Sequence, residues 1–90
     1  MGYVVHITRS AQDDLAYLGK RTAARIIDKL DFFASADTPL HFAKKLKNFE
    51  CGSYRFRIGD YRAIFDVDSR GAIHILMILQ IQHRKDVYKI

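Results

Sequence analysis

At the centre of this sequence stands the nonapeptide Tyr54-Arg55-Phe56-Arg57-Ile58-Gly59-Asp60-Tyr61-Arg62. Its first five residues alternate strictly, which in an extended strand places the apolar side chains on one face and the two arginines on the other. Gly59-Asp60 supplies turn chemistry, and a second alternating run begins at Tyr61. The stretch therefore predicts a β-hairpin that packs one face on a core and leaves the other face polar.

The polar face of this hairpin carries guanidinium groups. Arg55 and Arg57 are neighbours on one strand, and Arg62 joins them if the register of the turn allows it, which the spacing alone leaves open. Cations held on a rigid sheet repel one another unless an anion lies between them. Arginine also presents a planar fork that matches phosphate oxygens. The pattern favours a phosphate site, and the alternative is a solvated surface or one paired to Asp66 and Asp68.

One strand and two helices are predicted before the hairpin. The β-branched and aromatic run Tyr3–Thr8 predicts the strand. Ser10 is the candidate N-cap of a first helix that ends at Gly19, and Thr22 that of a second helix that ends before Pro39. The buried face of the second helix is predicted from apolar residues at helical spacing, namely Ala23, Ile26, Ile27, Leu30, Phe33 and Ala34.

After the second helix, residues 40–49 read as a basic connector to the hairpin. The second hairpin strand runs from Tyr61 to about Asp68, and the nearly all-apolar run Ile73–Ile81 predicts a central strand covered on both faces. The element order is β-α-α-β-β-β. We therefore expect one α+β domain over residues 1–90, a small and mainly antiparallel sheet with a helical hairpin packed on one face.

Composition narrows the class of protein. The only cysteine, Cys51, cannot form an internal disulfide, which fits a reducing, cytoplasmic location. The N-terminus lacks the features of a signal peptide, and the longest apolar run is too short to span a bilayer, so we expect no membrane partner. The four histidines show no spacing typical of a zinc site, so we expect neither a metal nor a cofactor.

Positive charge is concentrated in the second half of the chain. The net charge is +5, and the first 40 residues are balanced, with five cations against five aspartates. Between His41 and Phe65 only Glu50 and Asp60 oppose a larger set of cations: Lys44, Lys45, Lys47, Arg55, Arg57 and Arg62. This distribution predicts an anionic partner for the central part of the chain.

Two blocks of this sequence resemble the RelE/ParE superfamily of bacterial toxins, the RelE branch in particular. They are the nonapeptide, with the aromatic Phe65 after it, and the C-terminal run His83-Arg84-Lys85-Asp86-Val87-Tyr88. The resemblance covers almost the whole chain. It implies a RelE/ParE-like fold and a ribosome-dependent endoribonuclease that cuts mRNA in the A site. It also implies a cognate RelB-like antitoxin that wraps around the toxin in a hetero-oligomer.

The resemblance also implies site residues. RelE-like enzymes keep basic residues at the positions of Arg55, Arg57 and Arg62 and a tyrosine at the position of Tyr88. In the best-known member the first two are lysines, so this chain departs from it by carrying arginines. Contacts with RNA or the ribosome are then expected from further basic residues, although the first three read as a solvated face by default: Lys44, Lys45, Lys47, Arg84 and Lys85.

RNA can be cut without a metal when its own 2′-hydroxyl attacks the adjacent phosphorus. The arginines suit charge neutralisation but not proton abstraction, because arginine stays protonated. Proton transfer is therefore assigned to His83 and Tyr88, since histidine titrates near neutrality and a tyrosine beside cations can be activated. Tyr88 could equally stack on a base. The sequence leaves open whether Gln82, His83 or Arg84 faces the substrate.

Two other functions remain compatible with the same architecture, because a fold does not fix a function. The first is a ParE-like protein that inhibits DNA gyrase by binding and does not cut RNA. The second is a catalytically inactive relic that binds RNA or an antitoxin. The hairpin block and the tyrosine near the end favour the ribonuclease over both.

Overall fold

The computed structural model describes residues 3–46 and 54–83. Its elements follow in chain order: β1 (Tyr3–Ile7), α1 (Arg9–Leu18), α2 (Lys20–Ser35), β2 (Ala43–Lys45), β3 (Tyr54–Ile58), β4 (Tyr61–Arg70) and β5 (Ile73–His83). The strands form one sheet in the order β1-β5-β4-β3-β2, in which β1 pairs parallel with β5 and the other pairs are antiparallel. The predicted α+β class is confirmed. Neither helix in this described part is long and apolar enough to cross a membrane.

The two helices pack against one face of the sheet and form the core with it. α1 contributes Ala11 and Leu15, and the sheet contributes a second set of buried side chains: Phe56, Ala63, Phe65, Leu76, Ile78 and Ile81. The predicted stripe of α2 is correct, because Ile26, Leu30, Phe33 and Ala34 are its buried residues. Stacked rings run through this core, with Phe33 on Phe56 at 4.5 Å and Phe56 on Phe65 at 4.2 Å. The predicted hairpin, β3–β4, is therefore anchored by aromatic packing beneath its polar face.

The connector before the hairpin is more structured than its sequence predicts. A 3-10 turn, Pro39–Phe42, leads into β2, which pairs antiparallel with β3 at the edge of the sheet. β2 has only three residues, too few to show a periodicity. The predicted element order therefore gains one short strand.

Both predicted helix N-caps are wrong, Ser10 by two residues and Thr22 by three. The N-cap of α1 is Thr8, whose hydroxyl oxygen accepts a hydrogen bond from the Ala11 N–H at 3.4 Å. The same hydroxyl donates to the Ile78 carbonyl at 2.7 Å, which ties the start of α1 to β5. α2 begins after Gly19, whose φ of 91° only glycine adopts easily, so Thr22 lies inside the helix.

An irregularity in the pairing of β4 with β5 determines which side chains of β5 face which way. Phe65 pairs with Ile78, whereas the preceding residue, Ile64, pairs with Gln80, so Leu79 is an extra residue in β5. Two residues further on, the Ile81 N–H donates to the Asp14 carboxylate of α1 at 2.9 Å. The extra residue shifts the alternation of β5 by one, because side chains change face at each position.

Candidate active site

The face of the sheet that the helices leave uncovered carries the arginines of the nonapeptide. Arg57 and Arg62 are direct cross-strand partners, so both side chains project from the same face. Arg55 pairs with Ile64 on β4 and with Lys44 on β2, which adds a fourth cation to this row. The register that the sequence left open thus places all three arginines on one surface. We call this surface, with Lys44, the arginine face.

The pairing of Arg57 with Arg62 is electrostatically unfavourable. Side chains that are direct partners have Cβ atoms about 4.5–5.5 Å apart, and like charges at such positions destabilise a sheet. Asp68, one of the two carboxylates that could have neutralised them, is instead bonded to Arg70 at 3.3 Å. Within the described residues, neither Arg57 nor Arg62 has an ion-pair partner. The pair is therefore preorganised to receive an anion.

The side chain of Arg62 gives the strongest indication of a binding role. Its Nε atom is buried and has no hydrogen-bond partner within the part of the chain that the structure describes. A buried donor without an acceptor costs about 1–3 kcal/mol of lost solvation. Ile64, two residues along β4, is 2% exposed, so this part of the arginine face excludes water. An anionic oxygen that accepted from Nε would remove this cost.

Two glutamine side chains project on the same side as the arginines. Gln82 is the cross-strand partner of Arg62, and Gln80 is the partner of Ile64. The Gln82 Nε2 donates to the Gln80 Oε1 at 2.8 Å, which fixes the orientation of both amides. From the sequence, Gln82 was identified as one of three residues that could face the substrate, and Gln80 was not identified. The signal in the sequence was the alternation of Leu79-Gln80-Ile81-Gln82, which places the two glutamines on one face of a strand.

His83 lies on the other face of the sheet. It pairs with Tyr61, whose side chain belongs to the helix-covered face, and the two rings meet edge to face with centroids 5.1 Å apart. The structure therefore does not bring the His83 side chain together with the arginines. Lys45 also departs from the row of cations, because its partner Tyr54 faces the core.

Four of the predicted site residues lie outside the described residues. They are Lys47, Arg84, Lys85 and Tyr88, and their roles stay predictions. Within the described ranges, 3–46 and 54–83, no three His, Cys, Asp or Glu side chains cluster in a way that could hold a metal ion.

Comparison with known proteins shows which toxins this chain is similar to. The family model described as the ParE toxin of the type II toxin-antitoxin system, parDE, matches residues 5–88. Toxin RelG from Mycobacterium tuberculosis is 32% identical over 92 residues, which cover 99% of each chain.

Two solved structures of similar fold are complexes of a toxin with its antitoxin. The RelBE2 toxin–antitoxin complex from Mycobacterium tuberculosis contains a chain with a TM-score of 0.70 and 29% identity, and the match covers 93% of this chain and 100% of that one. An archaeal RelE–RelB complex from Pyrococcus horikoshii OT3 matches with a TM-score of 0.64 and 26% identity, over 93% of this chain and 97% of that one.

Proposed function

Because this chain belongs to the ParE toxin family, a type II toxin–antitoxin branch of the RelE/ParE superfamily, we propose that it is an endoribonuclease that cuts mRNA in the ribosomal A site. The observation that carries the proposal is the unneutralised pair Arg57 and Arg62, with the buried Nε of Arg62 beside it. A gyrase-binding protein needs no such pair, whereas a phosphoryl-transfer site needs preorganised cations.

The reaction uses the RNA itself as nucleophile. The 2′-oxygen attacks the adjacent phosphorus and loses its proton, the bond from phosphorus to the 5′-oxygen breaks, and that oxygen gains a proton. The products are a 2′,3′-cyclic phosphate and a 5′-hydroxyl. Negative charge grows on the non-bridging oxygens as the 2′-oxygen attacks. Arg62 and Arg57 act there, because fixed cations stabilise developing charge without reorganisation.

The remaining side chains of the arginine face position the RNA. Arg55 and Lys44 extend the positive row from the hairpin toward the sheet edge, along which flanking phosphates bind. Gln82 lies opposite Arg62 and offers an amide for the ribose or the scissile phosphate. Lys45 contacts mRNA or ribosomal RNA outside this row, and further RNA contacts are proposed for Lys47, Arg84 and Lys85, which lie outside the described residues.

Tyr88 and His83 are the two candidates for proton transfer. Arginine cannot accept the 2′ proton, so the base and the acid must come from other groups. His83 lies on the other face of the sheet from the arginines, so on this geometry its side chain does not reach a phosphate held by Arg57 and Arg62, and Tyr88 is the preferred candidate of the two. A pH–rate profile separates the two candidates: His83→Gln changes the shape of the profile if the imidazole moves the proton, and Tyr88→Phe changes it if the phenol does.

Toeprinting on a translating mRNA tests the proposal directly. The purified chain should produce cuts in the A-site codon, and Arg62→Ala should reduce the cutting rate about 100-fold to 1,000-fold, as loss of one preorganised donor does. Arg70→Ala is the matched control, because Arg70 is on the same strand and removes the same charge, yet it is bonded to Asp68. Equal cutting by the two variants, or no A-site cuts at all, would refute the proposal.

A second candidate function follows from the description of the matched family, whose named toxin is ParE. A ParE-like protein would inhibit DNA gyrase without cutting RNA. A supercoiling assay with the same preparation discriminates: inhibition that survives Arg62→Ala supports this candidate, and full supercoiling at a large excess of protein eliminates it.

We also propose that a RelB-like antitoxin neutralises this chain in a hetero-oligomer. Two of the similar solved structures are complexes of that kind. An acidic or amphipathic antitoxin segment on the arginine face would bind through charge, so the dissociation constant should rise with salt. A complex that is indifferent to ionic strength would indicate an apolar interface instead.

A further inference from the structure

A second surface with chemistry suited to RNA lies on the helix-covered side of the molecule. An open groove of about 480 Å³ runs between α2 and the tip of the β3–β4 hairpin. We call it the α2 groove, and its walls are formed by Arg25, Asp28, Lys29 and Phe32 of α2 and by Ile58 and Gly59 of the hairpin. The volume falls within the range of small-molecule sites, about 300–1,000 Å³.

Phe32 presents an exposed aromatic ring at one end of the α2 groove. Its relative exposure is 57%, although the polar face of an amphipathic helix normally carries polar residues. The ring is held by neighbours, because its centroid lies 5.9 Å from Phe33 and 6.1 Å from Phe42. Phe33 is buried and stacks on Phe56 in the core. The exposed ring therefore rests on a rigid aromatic cluster and loses little entropy when a ligand stacks on it.

The cations of the α2 groove stand at helical spacing beside this ring. Arg25, Lys29 and Phe32 follow one another at intervals of four and three residues, which places them on one stripe of α2. The Lys29 ammonium lies 5.2 Å from the Phe32 ring centroid. Two cations against the one carboxylate of Asp28 leave the groove positive. A ring flanked by mobile cations is the arrangement by which proteins hold unpaired nucleotides.

We propose that the α2 groove binds an unpaired nucleotide of RNA, with the base stacked on Phe32 and the phosphate held by Lys29 and Arg25. The inference rests on RNA being the substrate of the arginine face. The two surfaces are contiguous around the hairpin tip: Gly59 lines the groove, and Arg57 and Arg62 flank the same turn on the opposite face. A strand that leaves the arginine face at the tip enters the groove next.

Binding of a short single-stranded RNA with 2′-O-methyl riboses tests this inference apart from cleavage, because such RNA cannot be cut. Fluorescence anisotropy with the purified chain measures the affinity, which Phe32→Ala should weaken about 5-fold to 150-fold, the range that loss of one stacked base produces. Tyr17→Ala is the matched control, because Tyr17 is an aromatic residue on α1 with 91% exposure. It should bind as the unmodified chain does.

Two further variants separate stacking from other contacts. Phe32→Trp should bind at least as tightly as the unmodified chain, whereas Phe32→Leu should be as weak as Phe32→Ala, because leucine keeps apolar bulk but has no π face. Lys29→Ala should also weaken binding and lower the slope of log affinity against log salt by about 0.7, the share of one phosphate contact to a single strand. Phe32 and Lys29 are exposed, so all these variants should fold; Phe32→Ala and Phe32→Leu lose the ring contacts with Phe33 and Phe42 equally and should melt only slightly lower.

The binding results decide the inference, and the cleavage results decide the proposed function. Unaltered affinity in Phe32→Ala, or normal affinity in Phe32→Leu, would overturn the inference, and the second result would point to an apolar protein segment in the groove. Absence of any RNA binding by the unmodified chain would overturn it as well. Failure of the proposed nuclease function gives a different result: the chain makes no A-site cuts in toeprinting but still binds 2′-O-methyl RNA through Phe32.

Discussion

Replacing Arg57 with glutamine should raise the stability of the protein while it lowers its activity. Arg57 and Arg62 are direct cross-strand partners of like charge, and Arg57 is exposed without an ion-pair partner among the described residues. Glutamine keeps the aliphatic stem and a polar, hydrogen-bonding end but is shorter and removes the charge. A residue that serves ligand binding at a cost in stability is expected to show these opposite effects on stability and activity.

The size of the stabilisation follows from the separation of the charges. Two guanidiniums about 7 Å apart repel by about 0.6 kcal/mol in water and by about 2.4 kcal/mol at an effective dielectric constant of about 20. Arg57 is exposed, so the lower part of this range applies, in agreement with cross-strand pair energies of about 0.2–1 kcal/mol. We expect a gain of about 0.5–1 kcal/mol, which raises the melting temperature of a domain of this size by about 2–8 °C.

Thermal unfolding at low ionic strength measures this gain. It should vanish near 1 M salt, where the screening length is about 3 Å. Arg57→Lys keeps the charge and should leave the melting temperature unchanged. Arg70→Gln, which breaks the ion pair with Asp68 in the same strand, should not stabilise the protein. If Arg57→Gln lowers the melting temperature at low salt, or raises it equally at high salt, the two arginines are not a repulsive pair and the argument for an anion site fails.

Three other changes probe the parts of the fold that build the site. Asp14→Ala removes the acceptor of the Ile81 N–H and should destabilise by about 1–2 kcal/mol in urea unfolding, whereas Asp13→Ala, on the exposed side of α1, should stay within about 0.5 kcal/mol. Phe56→Ala opens a cavity at the centre of the stacked rings and should cost about 3–5 kcal/mol in the same assay; a smaller loss would mean that the core collapses to fill it. Gln82→Ala should slow A-site cutting about tenfold, the equivalent of one hydrogen bond in the transition state, with an unchanged melting curve; an unchanged rate would remove this amide from the site.

The hairpin was predictable because three local signals agree. Strict alternation sets the faces, the glycine supplies the positive φ of a tight turn, which is 60° at Gly59, and the aromatic residues need a core. A two-residue loop pairs Ile58 with Tyr61 and hence Arg57 with Arg62. The convergence of the arginines therefore depends only on the number of residues in the turn, and the sequence alone did not specify that number.

The orientation of the last strand was harder to predict for a physical reason. β5 is apolar on both faces over most of its length, so hydrophobic periodicity carries no information on its faces. The extra residue at Leu79 then shifts the alternation, and it is identified by pairing with β4, a tertiary contact. For this reason the sequence could not choose between Gln82 and His83. The predicted N-cap of α1 was wrong for a different reason. Thr8 caps this helix in place of Ser10 because its hydroxyl also donates a hydrogen bond to the Ile78 carbonyl, which is a tertiary contact.

The surplus residue in β5 has a consequence for how relatives of this chain should be compared. Without Leu79, a straight strand would keep Ile81 opposite Ala63 and Gln82 opposite Arg62, so a relative one residue shorter at this point would retain the same side chain beside Arg62. A relative of equal length that lacked the kink would instead turn an imidazole toward the guanidiniums and an amide toward the interior. Gaps in alignments of this strand therefore decide which side chains are aligned with the arginine face. They should be positioned by the side of the sheet that each residue occupies, and not by residue count.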